Sequence, residues 1–239
     1  MPRIITFNIA CQPLTQELLQ FFKSVSADII LLQEIEEYEK GYTKKTAKKF
    51  GYNSVYTPAR ELRSSGTHGL AILSHGKIHN VKVQTLPLKN LRPKPRNRIA
   101  VHSDVIIDSN TIQVCNVHLD TRLNPEERAH QLSPVLKEIK SPAILAGDFN
   151  TAPIKFYKNL MPIGLSNQKD HIDSSLEEQG FETSNSSAGR SFRLLPWQLD
   201  AIYPLNYKIT GYGVYKDVKL SDHFPVWADI EELENLNNF

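Results

Sequence analysis

Short apolar runs and helically spaced apolar residues alternate along the whole chain. Residues 3–9 read as a strand. Leu14, Leu18, Leu19, Phe22 and Val25 then recur at the spacing of one helix face. The run ADIILLQ (27–33) is apolar almost throughout, as in a strand buried on both faces. Residues 44–50 predict a surface helix. Five strand-length runs follow: NSVYT (53–57), HGLAILS (68–74), KIHNVKVQT (77–85), RIAVHSDVII (98–107) and TIQVCNVHL (111–119). A further helix has a marked start, with Asn124 as N-cap, Pro125 at the first helical position and Glu126 and Glu127 in the first turn. Ala129, Leu132, Val135, Leu136 and Ile139 supply its buried face. Pro134, which lacks an N–H, is expected to kink or divide it. PAILAGDFN (142–150) predicts another strand, then irregular chain to about Ser187. LDAIYPL (199–205), residues 207–216 and FPVWADI (224–230) complete the strands.

Strands outnumber helices, and several are separated only by short turns, so hairpins are expected. Two packed mixed sheets with helices on their outer faces fit this α/β pattern better than a purely parallel doubly wound sheet. Neither a fixed-period repeat nor a long linker appears, which predicts one domain over residues 1–239. A hydrophobic share of 40% with 23% charged residues excludes a long disordered chain, a collagen and a coiled coil. No run approaches the roughly 20 apolar residues of a membrane span. The segment MPRIITFNIA lacks the apolar core of a secretory signal, so a cytoplasmic location is expected. Cys11 and Cys115, the two cysteines, are too few for a disulfide framework or a structural zinc site.

The net charge of +2 says little, but its distribution says more. Residues 40–49 and 89–98 are basic without an acid, while the C-terminal segment is acidic, with Glu231, Glu232 and Glu234. Such runs are ordinarily solvated faces. Beside a phosphoester site, Lys44, Lys45, Lys48 and Lys49 with Lys94, Arg96 and Arg98 would form a phosphate-attracting rim.

Polar residues gather where strands end: Asn8, Glu34, His118, Asp148 with Asn150, Asp200, and Asp222 with His223. Taken singly, each has an ordinary explanation as a strand terminus, a turn or a satisfied histidine. Together they form a set suited to a hard cation and to proton transfer. Carboxylate and amide oxygens suit magnesium, with manganese as the alternative. Two histidines beside acids suit stabilisation of a phosphoryl transition state and activation of water.

Seven motifs in order, FNI (7–9), LQE (32–34), GLAILS (69–74), NVHL (116–119), AGDFN (146–150), LDAIY (199–203) and SDHFPV (221–226), resemble the endonuclease/exonuclease/phosphatase superfamily, which includes deoxyribonuclease I and exonuclease III. The resemblance implies a four-layer α/β sandwich, two mixed β-sheets flanked by helices, with the site at one edge. It implies Glu34 as principal metal ligand, with Asn8 and Asp222 assisting directly or through water. Asp148 and Asn150 would orient the attacking water and hold a phosphate oxygen. His223 would be general base or transition-state donor, oriented by Asp200, and His118 would contact the phosphate. Arg98, and Arg96 beside it, would reach the phosphate or its flanking backbone.

His118 stands where abasic-site endonucleases of the exonuclease III type carry a tyrosine, so the chain is more similar to the deoxyribonuclease, sphingomyelinase, deadenylase and phosphatase branches. PWQLDA (196–201) lacks the arginine of the inositol polyphosphate 5-phosphatase pattern. In deoxyribonuclease I the equivalent of His118 pairs with a glutamate, for which Glu61 is the nearest acid here. Trp197 is weighed as a base-stacking residue against an ordinary core position. The resulting expectation is a magnesium-dependent phosphoester hydrolase with nucleic acid as substrate and no obligate protein partner. The alternatives are hydrolysis of a small phosphorylated metabolite or lipid headgroup, and a catalytically silent member that binds nucleic acid or protein.

Overall fold

The computed structural model describes residues 1–63, 65–89, 96–151, 165–183 and 189–233. In chain order the elements are β1 (Arg3–Gln12), α1 (Gln16–Ser24), β2 (Ile29–Glu37), α2 (Tyr42–Lys49), β3 (Asn53–Glu61), β4 (Thr67–Ser74) and β5 (Lys77–Thr85). There follow β6 (Ile99–Ile107), β7 (Asn110–His118), α3 (Pro125–Glu138), β8 (Ala143–Asp148), α4 (Leu165–Glu177), β9 (Asp200–Leu205), β10 (Tyr207–Val214) and β11 (Val226–Glu232).

The strands form two sheets, one in the order β10-β11-β1-β2-β4-β3 and the other in the order β5-β6-β7-β8-β9. Each is mixed: β1 with β2 and β7 with β8 run parallel, and the remaining neighbours run antiparallel. Ile4, Ile29, Leu31, Leu70 and Ile72 of the first sheet meet Val101, Val114, Ile144 and Ile202 of the second in a core between them. On the outer face of the first sheet, Ile5, Phe7, Ile9 and Ile30 pack against Leu14 and against Leu18, Leu19 and Phe22 of α1. On the outer face of the second, Cys115, Val117, Leu145 and Tyr203 pack against Leu132 and Val135 of α3 and Ile172 and Leu176 of α4. The result is the four-layer α/β sandwich.

Two local expectations are corrected. Part of the segment expected to be irregular forms α4, whose described side chains turn Ile172 and Leu176 inward, a spacing of one helical turn that does not stand out in the sequence. Pro134 does not divide α3, which is continuous over fourteen residues. The missing N–H removes one ladder bond, and buried Leu132, Val135 and Leu136 on both sides of it hold the helix together. At its start, Asn124 N donates to Glu127 Oε2 at 2.9 Å, the glutamate half of the expected cap.

Strand alternation carries the fold into the site. Ile4 and Thr6 on β1, Ile29 and Leu31 on β2, Ile112 and Val114 on β7 and Ile144 and Ala146 on β8 are successive members of rows with period two. Continuing those rows reaches Asn8, Gln33, Asn116 with His118, and Asp148. Apolar residues therefore fill the middle of the sandwich and polar ones its end. Gln33 and Asn116 join the sheets there: Gln33 Nε2 donates to Asn116 Oδ1 at 2.7 Å. Asn116 Nδ2 donates to the carbonyls of Leu32 and Ala71, each at 3.0 Å. Both side chains are fully buried. Asn116→Ala leaves two buried carbonyls and the Gln33 amide without these partners and should destabilise the fold by about 3 kcal/mol. Urea unfolding measures this as a lower midpoint at unchanged slope; a loss below about 0.5 kcal/mol would mean the network contributes nothing beyond an ordinary surface site.

Candidate active site

The polar row ends meet at one end of the sandwich. On neighbouring strands, His118 pairs with Asp148 and Asp148 with Asp200. Gly147 lets β7 and β8 approach there: its φ is +153°, and a Cβ would fall 2.0 Å from the Val117 carbonyl. From the other sheet, Asn8 Nδ2 donates to Asp148 Oδ2 at 2.9 Å. The second oxygen, Asp148 Oδ1, accepts the Asn150 amide at 2.9 Å, and the Asn150 side chain is held by the Leu119 carbonyl at 2.9 Å.

Glu34 breaks the alternation. After inward Gln33 it should face the helix layer, but β2 carries an extra residue between Leu32 and Ile35 relative to β4, and Glu34 adopts a φ of +55°. β1 is irregular at the same level, between Asn8 and Gln12, with Ala10 and Cys11 also at positive φ. These adjoining bulges re-aim Glu34 to the site. Its Oε1 lies 3.7 Å from His118 Nε2, which is 3.5 Å from Asp148 Oδ2. Glu34 Oε2 accepts the Cys11 thiol at 3.1 Å.

His223 enters from the turn before β11. Its Nδ1 is 2.7 Å from Asp200 Oδ2, and both groups are buried. Ser191 Oγ accepts the amides of Leu199 and Asp200, at 2.8 and 3.0 Å, and so fixes the backbone that carries the carboxylate. Ser221 Oγ donates to the Asn8 carbonyl at 2.7 Å and accepts the His223 amide at 3.1 Å, tying the histidine turn to β1.

Burial and charge set the protonation pattern. Burial works against the His223 charge, but Asp200 outweighs it and raises the imidazole to about 10. Burial and then the Asp200 charge push Asp148 up to about 7. Burial also opposes ionisation of Glu34, yet the Cys11 hydrogen bond and the Arg98 charge hold it below the usual carboxylate range. His118 is held well below the usual histidine range by burial and by Arg98. Arg98 Nη1 lies 2.8 Å from His118 Nδ1. A guanidinium has no acceptor, so His118 accepts at Nδ1 and carries its proton on Nε2, toward Glu34 and Asp148.

The structure thus brings together Asn8, Glu34, His118, Asp148, Asn150, Asp200 and His223. Asp222 is exposed; its carboxylate accepts from Ser221 Oγ at 3.3 Å and its charge acts on His223. Arg98 stands behind His118, and Arg96 is exposed within electrostatic reach of the same ring. Glu61, the nearest acid but several residues early for the deoxyribonuclease pairing, is not the partner of His118: Arg98 occupies its Nδ1, while Glu61 is exposed opposite Thr67. Trp197 stacks on Phe192 at 6.0 Å, which meets His223 edge-on at 5.2 Å, so it supports the histidine turn.

Of the α2 lysines weighed as a rim, Lys44 and Lys48 lie away from the site. Lys44 and Lys48 line a cavity with Asn53, Lys77 and Ile78. Asn53 pairs with Ser74 and Ser74 with Ile29, at the end of the sheet opposite Glu34. Lys94 and Glu234 lie outside the described residues. Sequence reasoning missed Ser191, Ser221, Cys11 and His68. Among these, only Ser221, adjoining the Asp-His pair, carried a positional signal.

Fold and site define a class, the α/β-sandwich phosphoesterase fold. The chain belongs to the Endonuclease/Exonuclease/phosphatase family, whose sequence model matches residues 5–223. Similar solved structures include an endonuclease/exonuclease/phosphatase from Beutenbergia cavernae DSM 12333, at 17% identity and a TM-score of 0.77 over 97% of this chain and 72% of that one. An AP endonuclease from Archaeoglobus fulgidus matches at 20% identity and 0.65 over 97% and 100%. The Bacteroides thetaiotaomicron mannosyl-6-phosphatase Bt3783 matches at 17% and 0.64 over 97% and 100%. At these identities the likeness shows the fold alone. No curated protein matches the chain significantly. Among the described residues no helix is long and apolar enough to cross a membrane.

The His223–Asp200 pair gives a pH prediction. The raised value means the folded state holds this proton more tightly than the unfolded chain. The pair's contribution to stability is therefore complete below pH 6.5 and is lost as pH rises through about 10. The melting-temperature advantage of wild type over His223→Gln should shrink across that window. Ring NMR should show His223 as imidazolium at pH 8; a midpoint at or below 6.5 would remove the ion pair from the account.

Proposed function

We propose that this protein is a divalent-metal-dependent phosphoester hydrolase, in which a water activated at Asp148 attacks phosphorus in line. The observation that carries this reading is the convergence of Glu34, Asp148 and Asp200 on two histidines. Three carboxylates, when ionised, outnumber by one the two cations among them, the His223 imidazolium and the Arg98 guanidinium, and Asp200 Oδ1 is buried without a partner. That excess of negative charge and hard oxygen donors fits magnesium, or manganese in its place. Glu34 with Asn8 would hold the ion, and Asp222 would contribute from the rim through water. An ion held there would supply Lewis-acid stabilisation of a phosphoryl oxygen and a lowered pKa for water.

The protein groups carry the remaining steps. Asp148, positioned by Asn8 and Asn150, accepts the proton of the attacking water. The charged His223, oriented by Asp200, donates to a non-bridging phosphoryl oxygen, and His118 donates from Nε2 to another. A bond from the water oxygen to phosphorus forms as the bond to the leaving oxygen breaks, and the leaving oxygen keeps that electron pair and takes a proton from solvent. Intact Glu34, Asp148, Asn150, Asp200 and His223 argue against a silent binding role.

For the substrate, the reading is a nucleic-acid phosphodiester. Exposed Arg60 and Arg96, within electrostatic reach of His68 and His118 at the cleft, support it. One observation favours a small phosphorylated molecule as the second reading: Lys44 and Lys48, which would border the cleft if they formed a rim for polymer phosphates, line a cavity at the far end. A panel of plasmid DNA, RNA, bis-p-nitrophenyl phosphate and phosphomonoesters, with and without magnesium, separates the two.

Glu34→Gln should lower kcat by about two orders of magnitude or more while leaving the melting temperature within a few degrees, and EDTA should abolish turnover. Activity surviving both treatments would exclude the metal mechanism. Asp200→Asn should cost much of what His223→Ala costs, with the double variant little worse than either. Fully multiplicative losses would show that the two residues do not act as a unit.

A further inference from the structure

We propose that Cys11, Glu36 and His68 form a binding site for a thiophilic divalent cation of the zinc class, beside Glu34 but separate from the hard-cation position of the catalytic centre. The three residues lie far apart in sequence, and the sheet brings them together. β1, β2 and β4 are consecutive neighbours. Glu36 and His68 face each other as a cross-strand pair, and Gln12 lies opposite Ile35, which sets Cys11 alongside them. One ligand atom from each lies within 4.8 Å of the others. Cys11 Sγ is 3.9 Å from His68 Nδ1. Tetrahedral zinc, with its usual bond lengths to sulfur and imidazole nitrogen, places those two atoms about 3.6 Å apart. Closing the site therefore requires a shift of a few tenths of an ångström.

The donor set selects the ion. A thiolate, an imidazole and a carboxylate suit zinc, cobalt or cadmium, whereas magnesium takes oxygen ligands in octahedral geometry. Three protein ligands leave a fourth position open to solvent. Glu36 and His68 are buried, and Cys11 is exposed, which gives an ion access from outside. The Tyr38 hydroxyl donates to Glu36 Oε2 and orients that carboxylate, as outer groups do around metal ligands. On binding, the Cys11 S–H bond is replaced by an S–metal bond and the proton leaves to solvent. The thiolate and Glu36 then balance the two positive charges of the ion, so Arg60, opposite His68 on β3, meets no net charge. The thiol proton now points to Glu34 Oε2, so occupancy of this site removes a hydrogen bond from the proposed catalytic ligand.

The test is titration of the full chain with cobalt(II) in saturating magnesium, which keeps the hard-cation position filled and reads binding without any hydrolysis assay. Wild type should develop a near-ultraviolet thiolate-to-cobalt charge-transfer band that saturates at one ion per chain. Cys11→Ser should lose the band, and alkylation of the folded wild-type protein at exposed Cys11 should abolish it equally. Cys115, fully buried, should not contribute, so Cys115→Ala should keep it. His68→Gln and Glu36→Gln should each weaken cobalt binding by about tenfold or more. The absence of a thiolate band in wild type overturns the proposal. So does a band whose affinity is unchanged in both His68→Gln and Glu36→Gln, since the thiol would then bind the metal alone.

Discussion

The hydrogen bond from Gln33 to Asn116, 2.7 Å long and out of reach of water, is the constraint on which the site depends. Apolar packing between the sheets is strong but non-directional, and on its own would tolerate small slides of one sheet over the other. A buried amide pair does not, because a slide leaves donors and acceptors unpaired at a cost of about 1–3 kcal/mol each. Gln33 immediately precedes Glu34, and Asn116 lies two residues before His118 on the same face. Fixing one pair sets the other, and the Asn8–Asp148 bond repeats the device one layer further out.

The electrostatics follow from that closure. Asp148 and Asp200 sit on adjacent strands with almost no water, so their mutual repulsion is unscreened and raises Asp148 beyond what burial alone does. His223 resolves part of the conflict as a cation on Asp200, and a divalent ion at Glu34 would resolve the rest. Arg98 has a different part. Placed behind His118 rather than on the surface, it fixes the tautomer of a ring that then offers Nε2–H to the cleft.

Much of this was legible in the sequence. The apolar strand-length runs predict both sheets, and the polar residues at their ends, Asn8, His118 and Asp148 among them, supply the candidate site. Three things were not legible. Glu34 belongs to the set read from the sequence, but the bulge that turns it toward the cleft is not legible there, since a strand pattern carries no mark of an extra unpaired residue. The partner of His118 is an arginine from the neighbouring strand entry, which spacing along the chain cannot distinguish from an exposed basic loop. The lysines of α2 form a basic run in one dimension, yet the helix carries Lys44 and Lys48 away from the centre toward Asn53 and Lys77. Likewise Cys11, Glu36 and His68 have no motif spacing, because three strands supply one ligand each.

The proposed chemistry requires the new bond to form at phosphorus, with water as nucleophile. Hydrolysis of a phosphodiester in 18O-labelled water with magnesium, followed by 31P NMR, tests this most directly. The account predicts one 18O atom on the phosphate product, seen as an upfield isotope shift, and no label in the released alcohol. Label in the alcohol, or a product phosphate without 18O, would contradict attack at phosphorus by water.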